Sequence, residues 1–507
     1  MVFNFFQYWI YDVIFLVLFC LWLVLFLHKR RKNLKKEGWM YLYRTKVGIK
    51  VIDYIGTKYK KTLSVMSFLA VVSGYILMVI MVFMLWLLVK TYTLNPDLVR
   101  TIKVAPLMPL IPYVDTLFQV DFLPPFYFTY WIIAIAVIAI FHEFAHGVIA
   151  RRYGVKIKAT GFGFLGPFLA AFVDPDEKQM VKKTKYQQLS ILAAGTFTNL
   201  VLAILFFILL SIFFIVSYAP AGAIIGGFIA GPVKISSISS VGGIAMNNVT
   251  KESLALALDN PSLNSGMLMD LAGTMENATK IIADNQTFYM NRGRIKLQLN
   301  ITNEQIILFP DLPAIRYGMR TREVITEINN NKINEVYDLG TVLNGSKIGD
   351  SIKIKTKYKN EVKEYNIILE EHPFMAGRAV VGVAFSDVSD TRLASRISNF
   401  FNVFKKPSTS YEPRFNNNLI IFIYNLIWWL ALINLSVALM NMLPVGIFDG
   451  GRFFLITVWA ITGSEKIAVK AFKAATYLIL FAFFLLMVGW AHAMYWERLL
   501  AWISGLF

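Results

Sequence analysis

Cysteine is almost missing from this 507-residue chain: Cys20 is the only one, and it sits inside an apolar run. Neither a disulfide framework nor a cluster of thiolate metal ligands can be built from it. Histidine is scarce too, with five in all, so any metal must be held by a few imidazoles and by carboxylates. Charged residues make up 16% of the chain and hydrophobic residues 56%, which excludes an ordinary soluble protein and points to a lipid bilayer. The first apolar stretch has no basic segment before it and no A-x-A cleavage site, and it outruns a signal-peptide core. It reads as a retained transmembrane helix.

What charge there is leans positive, at +18. The densest run, His28 to Lys61, holds twelve Lys or Arg against Glu37 and Asp53 and directly follows an apolar span. Charge so placed sets membrane orientation and gives no reason to invoke a nucleic acid. Runs long enough to cross about 30 Å of hydrocarbon are Phe5 to Leu27, Val65 to Val89, Phe126 to Ile149, Leu189 to Val216, Leu419 to Leu443 and Ala474 to Met494, six spans in all. The positive-inside rule puts the 28–64 loop in the cytoplasm and the N-terminus outside. Arg151, Arg152, Lys156, Lys158, the cluster around Lys182 to Lys185, and Lys466, Lys470 and Lys473 then also fall inside. Lys405, Lys406 and Arg414 fall outside, against the trend.

Between about 219 and 415 the pattern changes to alternating polar and apolar residues with Gly and Asn turns and no spanning run, as expected of an extracytoplasmic domain. The N-x-S/T sites at Asn248, Asn277, Asn285, Asn300 and Asn344 suit an outward-facing surface. Val324-Ile325-Thr326-Glu327-Ile328 reads as a strand, Asn329 to Ile333 as a turn, Val336 to Leu343 as a short helix, and Ser351 to Lys355 as a second strand. That order resembles a PDZ domain over about 60 residues. An unrelated small β-rich domain is the other reading, and residues 225 to 310 hold an insertion that the pattern does not resolve.

Two of the five histidines form His142-Glu143-Phe144-Ala145-His146, an H-E-x-x-H motif inside an apolar helix. The spacing puts both imidazoles on one helical face, where they can share one zinc ion, with Glu143 placed to take a proton from water activated there. Ionisable groups inside a span are costly and normally face a protein interior or a wet cavity. The blander alternative is a polar packing cluster. A catalytic zinc needs a third protein ligand. His142 lies about sixteen residues along an inward-running span, roughly 24 Å deep at about 1.5 Å per residue, so the site is expected near the cytoplasmic face. The fifth span ends at the same depth in Asn441-Met442-Leu443-Pro444-Val445-Gly446-Ile447-Phe448-Asp449-Gly450-Gly451-Arg452. Pro444 and the glycines can break that helix and turn Asp449 towards the histidines. Asp-Gly is also a common turn pair.

H-E-x-x-H in one span and N-x-x-P-x-x-x-x-D-G in a later one together resemble the site-2 protease family, over roughly 126 to 218 and 419 to 494. The resemblance implies that His142, His146 and Asp449 bind Zn2+, that Glu143 is the general base, and that the substrates are transmembrane proteins. Phe448 stands where the family usually has Leu. Ala194-Gly195-Thr196-Phe197-Thr198-Asn199 is similar to the family's G-x-x-x-N element. There Asn199 can serve catalysis, by donating to the oxyanion or positioning an unwound substrate, or can simply bond a neighbouring helix that Gly195 lets approach. Gly161 to Val173, apolar and broken by Gly166-Pro167, resembles the family's re-entrant β-hairpin, whose edge can pair with substrate. Asp174, Asp176 and Glu177 read as a solvated turn rather than a second metal site.

The fold expected is a polytopic α-helical membrane protein with about six transmembrane helices and a re-entrant β-hairpin, plus an extracytoplasmic PDZ-like α+β domain. Its parts are 1–125, two N-terminal helices and loops; 126–218, the first half of the catalytic core; 219–415, the PDZ-like domain with its insertion; and 416–507, the second half of the core. The expected place is the cell membrane, as a multi-pass protein in contact with the bilayer. Two rival classes are a zinc-binding scaffold without proteolysis, against which the intact Glu143 argues, and a metal transporter using histidines within its spans.

Overall fold

The structure is a computed structural model and describes residues 5–31, 34–37, 40–95, 99, 105–117, 123–165, 168–260, 268–271, 274–301, 304–358, 361–385, 403–415 and 417–504. The chain forms two compact units, one of residues 215–417 and one of residues 4–214 with 418–507. Among the described residues six helices are long and apolar enough to cross a membrane. They are α1 (Phe5–Arg30), α3 (Lys60–Leu94), α4 (Phe128–Arg152), α5 (Lys185–Ser217), α8 (Asn417–Asn441) and α10 (Glu465–Ser504). Unbroken apolar sequence makes these helices, because only intra-segment hydrogen bonds satisfy the backbone where water is absent.

The basic segment after α1, read from the sequence as a loop, is structured. Strands β1 (Leu34–Glu37) and β2 (Met40–Thr45) precede the short helix α2 (Ile49–Lys58). Tyr41, Leu42 and Tyr43 favour strand, and their charged neighbours hide the signal. The Gly-rich stretch after α4 is an antiparallel hairpin of β3 (Ile157–Leu165) and β4 (Phe168–Pro175), paired from Leu165↔Phe168 to Ile157↔Pro175. Its turn, Gly166-Pro167, lies outside the described residues. Strand β2 adds to β3 with Tyr41 opposite Phe164 and Thr45 opposite Thr160, so the sheet order is β1-β2-β3-β4. Gly161 is required there, since a Cβ would lie 2.1 Å from the carbonyl oxygen of Tyr43. Helix α2 packs on the end of α4 through two glycines. A Cβ on Gly56 would lie 2.8 Å from Arg151 Cβ and one on Gly147 3.0 Å from Ile52 Cδ1, while Arg151 pairs with Asp53 at 2.7 Å.

The second unit is β-rich. Its first strand, β5 (Tyr218–Ile224), pairs with its last, β14 (Thr409–Pro413), so the chain enters and leaves on neighbouring strands. The strand-turn-helix-strand order read from the sequence is present as β10 (Val324–Ile328), β11 (Asn331–Lys332), α7 (Val336–Asn344), β12 (Ser351–Tyr358) and β13 (Glu361–Ile368). The unparsed insertion repeats that order. Strands β6 (Ile238–Val241) and β7 (Ile244–Ala245), helix α6 (Lys251–Asp259) and strands β8 (Thr274–Ala283) and β9 (Gln286–Asn291) come in that order, with an extra short strand, Leu268–Leu271, between α6 and β8 and paired with β8. In each half the first strand pairs with the short one and with the long strand after the helix, which in turn pairs with the next. Both two-residue turns take positive φ, at Gly242 and Gly243 (57° and 89°) and at Asn329 and Asn330 (47° and 65°), the geometry that suits a tight hairpin. Two separate cores result, one around Ile325, Ile354 and Ile367 and one around Val241, Leu254 and Ile281.

Candidate metal centre

Helix α4 is fixed at its N-terminus by an acid from another span. Asp12 in α1, 2% exposed, accepts hydrogen bonds from Phe128 N (2.7 Å), Thr129 N (2.8 Å) and Thr129 Oγ1 (2.6 Å), and from the Tyr113 hydroxyl. The first helical N–H groups have no partner within their own helix, and a buried carboxylate is well suited to them. One turn apart further along α4, His142 and His146 present their rings to the same side, Nε2 to Nε2 at 3.0 Å. His146 donates from Nδ1 to the backbone carbonyl of Ile191 on α5 at 2.6 Å, which leaves the lone pair on Nε2. His142 Nδ1 sits 3.0 Å from the amide Nδ2 of Asn199, also on α5 and fully buried.

Asp449 reaches the same point from the other half of the chain. Helix α8 stops at Asn441, residues 442–448 are non-helical around Pro444, and helix α9 (Asp449–Thr462) starts at the acid itself. Its Oδ2 lies 3.2 Å from His142 Nε2 and 3.3 Å from His146 Nε2. The glycines after it serve close approach rather than a turn. A Cβ on Gly450 would lie 2.4 Å from the Met442 carbonyl carbon, and one on Gly451 2.3 Å from the Val445 oxygen.

One ligand atom from each of His142, His146 and Asp449 falls within a common 4.8 Å. Two imidazole nitrogens and one carboxylate oxygen make a donor set that suits zinc, and three protein ligands leave one position open. The residues therefore fit the metal. Glu143 stands beside them, its Oε2 accepting from the backbone N–H of Val173 in β4 at 3.0 Å. Gly195 forms the floor: a Cβ there would lie 2.5 Å from Nε2 of both histidines. From the pattern alone Gly195 has only a helix-contact meaning. Asp12 is not singled out there either, although a lone acid in an apolar span is the signal that finds such a residue. Asp174 and Asp176 lie apart from the centre. Asp174 pairs with Arg44 at 3.3 Å, and Asp176 caps the short helix Glu177–Val181.

Six helices long and apolar enough to cross a membrane, with a His-His-Asp cluster and a carboxylate alongside it, define a multi-pass membrane protein with a centre of the metallopeptidase type. Residues 130–487, well over half of the chain, match the model of peptidase family M50, and the chain belongs to that family. An uncharacterized protein of Methanocaldococcus jannaschii is 28% identical over 197 residues, covering 38% of this chain and 48% of that one. The chain thus spans about half the length of the curated relative it matches. Among solved structures, the PDZ domain of the SdrC-like protein of Listeria monocytogenes is similar at 24% identity over 15% of this chain and 76% of that one, with a TM-score of 0.14, too low to compare the folds.

Proposed function

We propose that the protein is an intramembrane zinc metalloprotease of the site-2 protease kind, residing in the cell membrane and cutting transmembrane substrates near the cytoplasmic face in regulated intramembrane proteolysis. The observation that carries this reading is the convergence of His142, His146 and Asp449 from distant parts of the chain, with Glu143 next to them. Zinc held by those three residues would supply Lewis acidity to the scissile carbonyl and to water. Glu143 takes the water's proton and passes it to the leaving amine. With Oε2 tied to Val173, the other oxygen of Glu143 is left for the water. Because β2 covers the far side of β3, the hairpin edge left for an unwound substrate is β4, whose Val173 N–H points away from β3 towards Glu143.

The extracytoplasmic unit, with its PDZ-like half, screens substrates by admitting those whose outer domains have been trimmed. A cavity of about 710 Å³ between α7 (Val336, Leu339, Leu343) and the segment Val380 to Phe385 gives that half a recess for a peptide. The test is metal removal. Stripping the purified full-length protein with a chelator should abolish cleavage of a transmembrane model substrate, and added zinc should restore it. Undiminished cleavage by metal-free protein would overturn the proposal.

A further inference from the structure

Each imidazole of the centre has its second nitrogen held by α5, but by groups of different chemistry. Behind His146 stands a backbone carbonyl, Ile191 O, which can only accept. Behind His142 stands the Asn199 amide, fully buried, with Nδ2 at 3.0 Å from Nδ1 and with Oδ1 lacking any hydrogen-bond partner among the described residues. With Nδ2 donating to Nδ1, the ring proton must sit on Nε2, where it is 3.2 Å from Asp449 Oδ2 and can be donated to it. That pairing leaves no lone pair on Nε2. It cannot serve a metal, because a cation needs the Nε2 lone pair and therefore a proton on Nδ1.

Resting on the zinc-site reading above, we infer that Asn199 is a positioning residue that sets the tautomer of His142 for a cation at Nε2. A half-turn of the amide exchanges Nδ2 for Oδ1, which then accepts from Nδ1–H and leaves Nε2 free for the cation. An amide can do both; a carbonyl, a hydrocarbon or a carboxylate cannot. This role differs from donation to an oxyanion or to the substrate, since the group it acts on is His142.

Three full-length proteins decide the matter: wild type, Asn199→Asp and Asn199→Leu, with zinc affinity measured by competition against a chelator and cleavage followed as a function of free zinc. Asn199→Asp can only accept, so it holds the metal-binding tautomer and should bind zinc at least as tightly as wild type. Asn199→Leu offers no partner and should weaken zinc binding by about ten- to a hundredfold, with cleavage recovering as free zinc is raised. Thermal unfolding of the metal-free proteins checks that the loss is not misfolding. If Asn199→Asp does not fold, the zinc affinity of Asn199→Leu is sufficient by itself. Wild-type zinc affinity in Asn199→Leu overturns the inference, and if cleavage is lost at saturating zinc Asn199 acts on substrate instead. Failure of zinc to bind the wild type would overturn the site itself.

Discussion

On the Gly195 side of His142 and His146 there is no room for even a methyl group. Since a Cβ on Gly195 would fall 2.5 Å from both Nε2 atoms, Gly195→Ala must push the rings apart. Zinc affinity is expected to fall at least as far as on loss of a supporting partner, about ten- to a hundredfold, and elemental analysis of the purified variant checks it. Wild-type zinc content would show that the floor can yield. At this scale the sequence is most legible where spacing is chemistry: the i, i+4 histidines need only one helix to become neighbours. Asp449 is legible by its pattern and by matched depth. The partners of the ring nitrogens are less so: the G-x-x-x-N element picks out Asn199 but not its contact with His142, and Ile191, which acts through its backbone, leaves no local signature.

The elements that form the centre lie in the matched family region of 130–487, whereas α1, which braces the start of α4, lies outside it. Asp12 of α1 caps α4 with three bonds to its first turn, so Asp12→Ala should cost roughly 1–2 kcal/mol, as expected for a lost helix cap. Thermal unfolding in detergent measures it, and an unchanged midpoint would mean that water replaces the carboxylate. The hairpin offers a second test. The N–H of Val173 goes to Glu143 and not to β3, so Val173→Pro removes it without opening the ladder. Zinc content should hold while cleavage drops roughly ten- to a hundredfold, part of the usual contribution of a positioned base. Full activity would show that Glu143 needs no such anchor. The helices and the hairpin can be read from hydropathy and glycine spacing. Strands β1 and β2 cannot, since strands so short, set among charged residues, carry almost no periodic signal, and β2 joins the sheet through β3, more than a hundred residues away.

For the whole molecule, the charge pattern makes a definite statement about sides. Reporters fused after residue 40 or 160 should lie in the cytoplasm and one after residue 300 outside; a cytoplasmic signal from the last would undo the orientation. Deleting 225 to 400 should leave catalysis intact but relax selection against untrimmed substrates, read from cleavage of matched long and short ectodomain versions. Equal discrimination by both proteins would remove the screening role. Only half of the β-rich unit is legible in the sequence. The Asn-Asn turn and clean alternation mark the second half, whereas in the first half an extra strand, Leu268–Leu271, comes between the helix and the long strand and breaks the pattern. The most direct measurement pairs zinc content with cleavage of a transmembrane substrate in Glu143→Gln and Asp449→Ala. Glu143→Gln should keep about one zinc per chain and lose cleavage by roughly two to four orders of magnitude, while Asp449→Ala should lose both. Cleavage at the wild-type rate by Glu143→Gln would contradict the proposed enzyme directly.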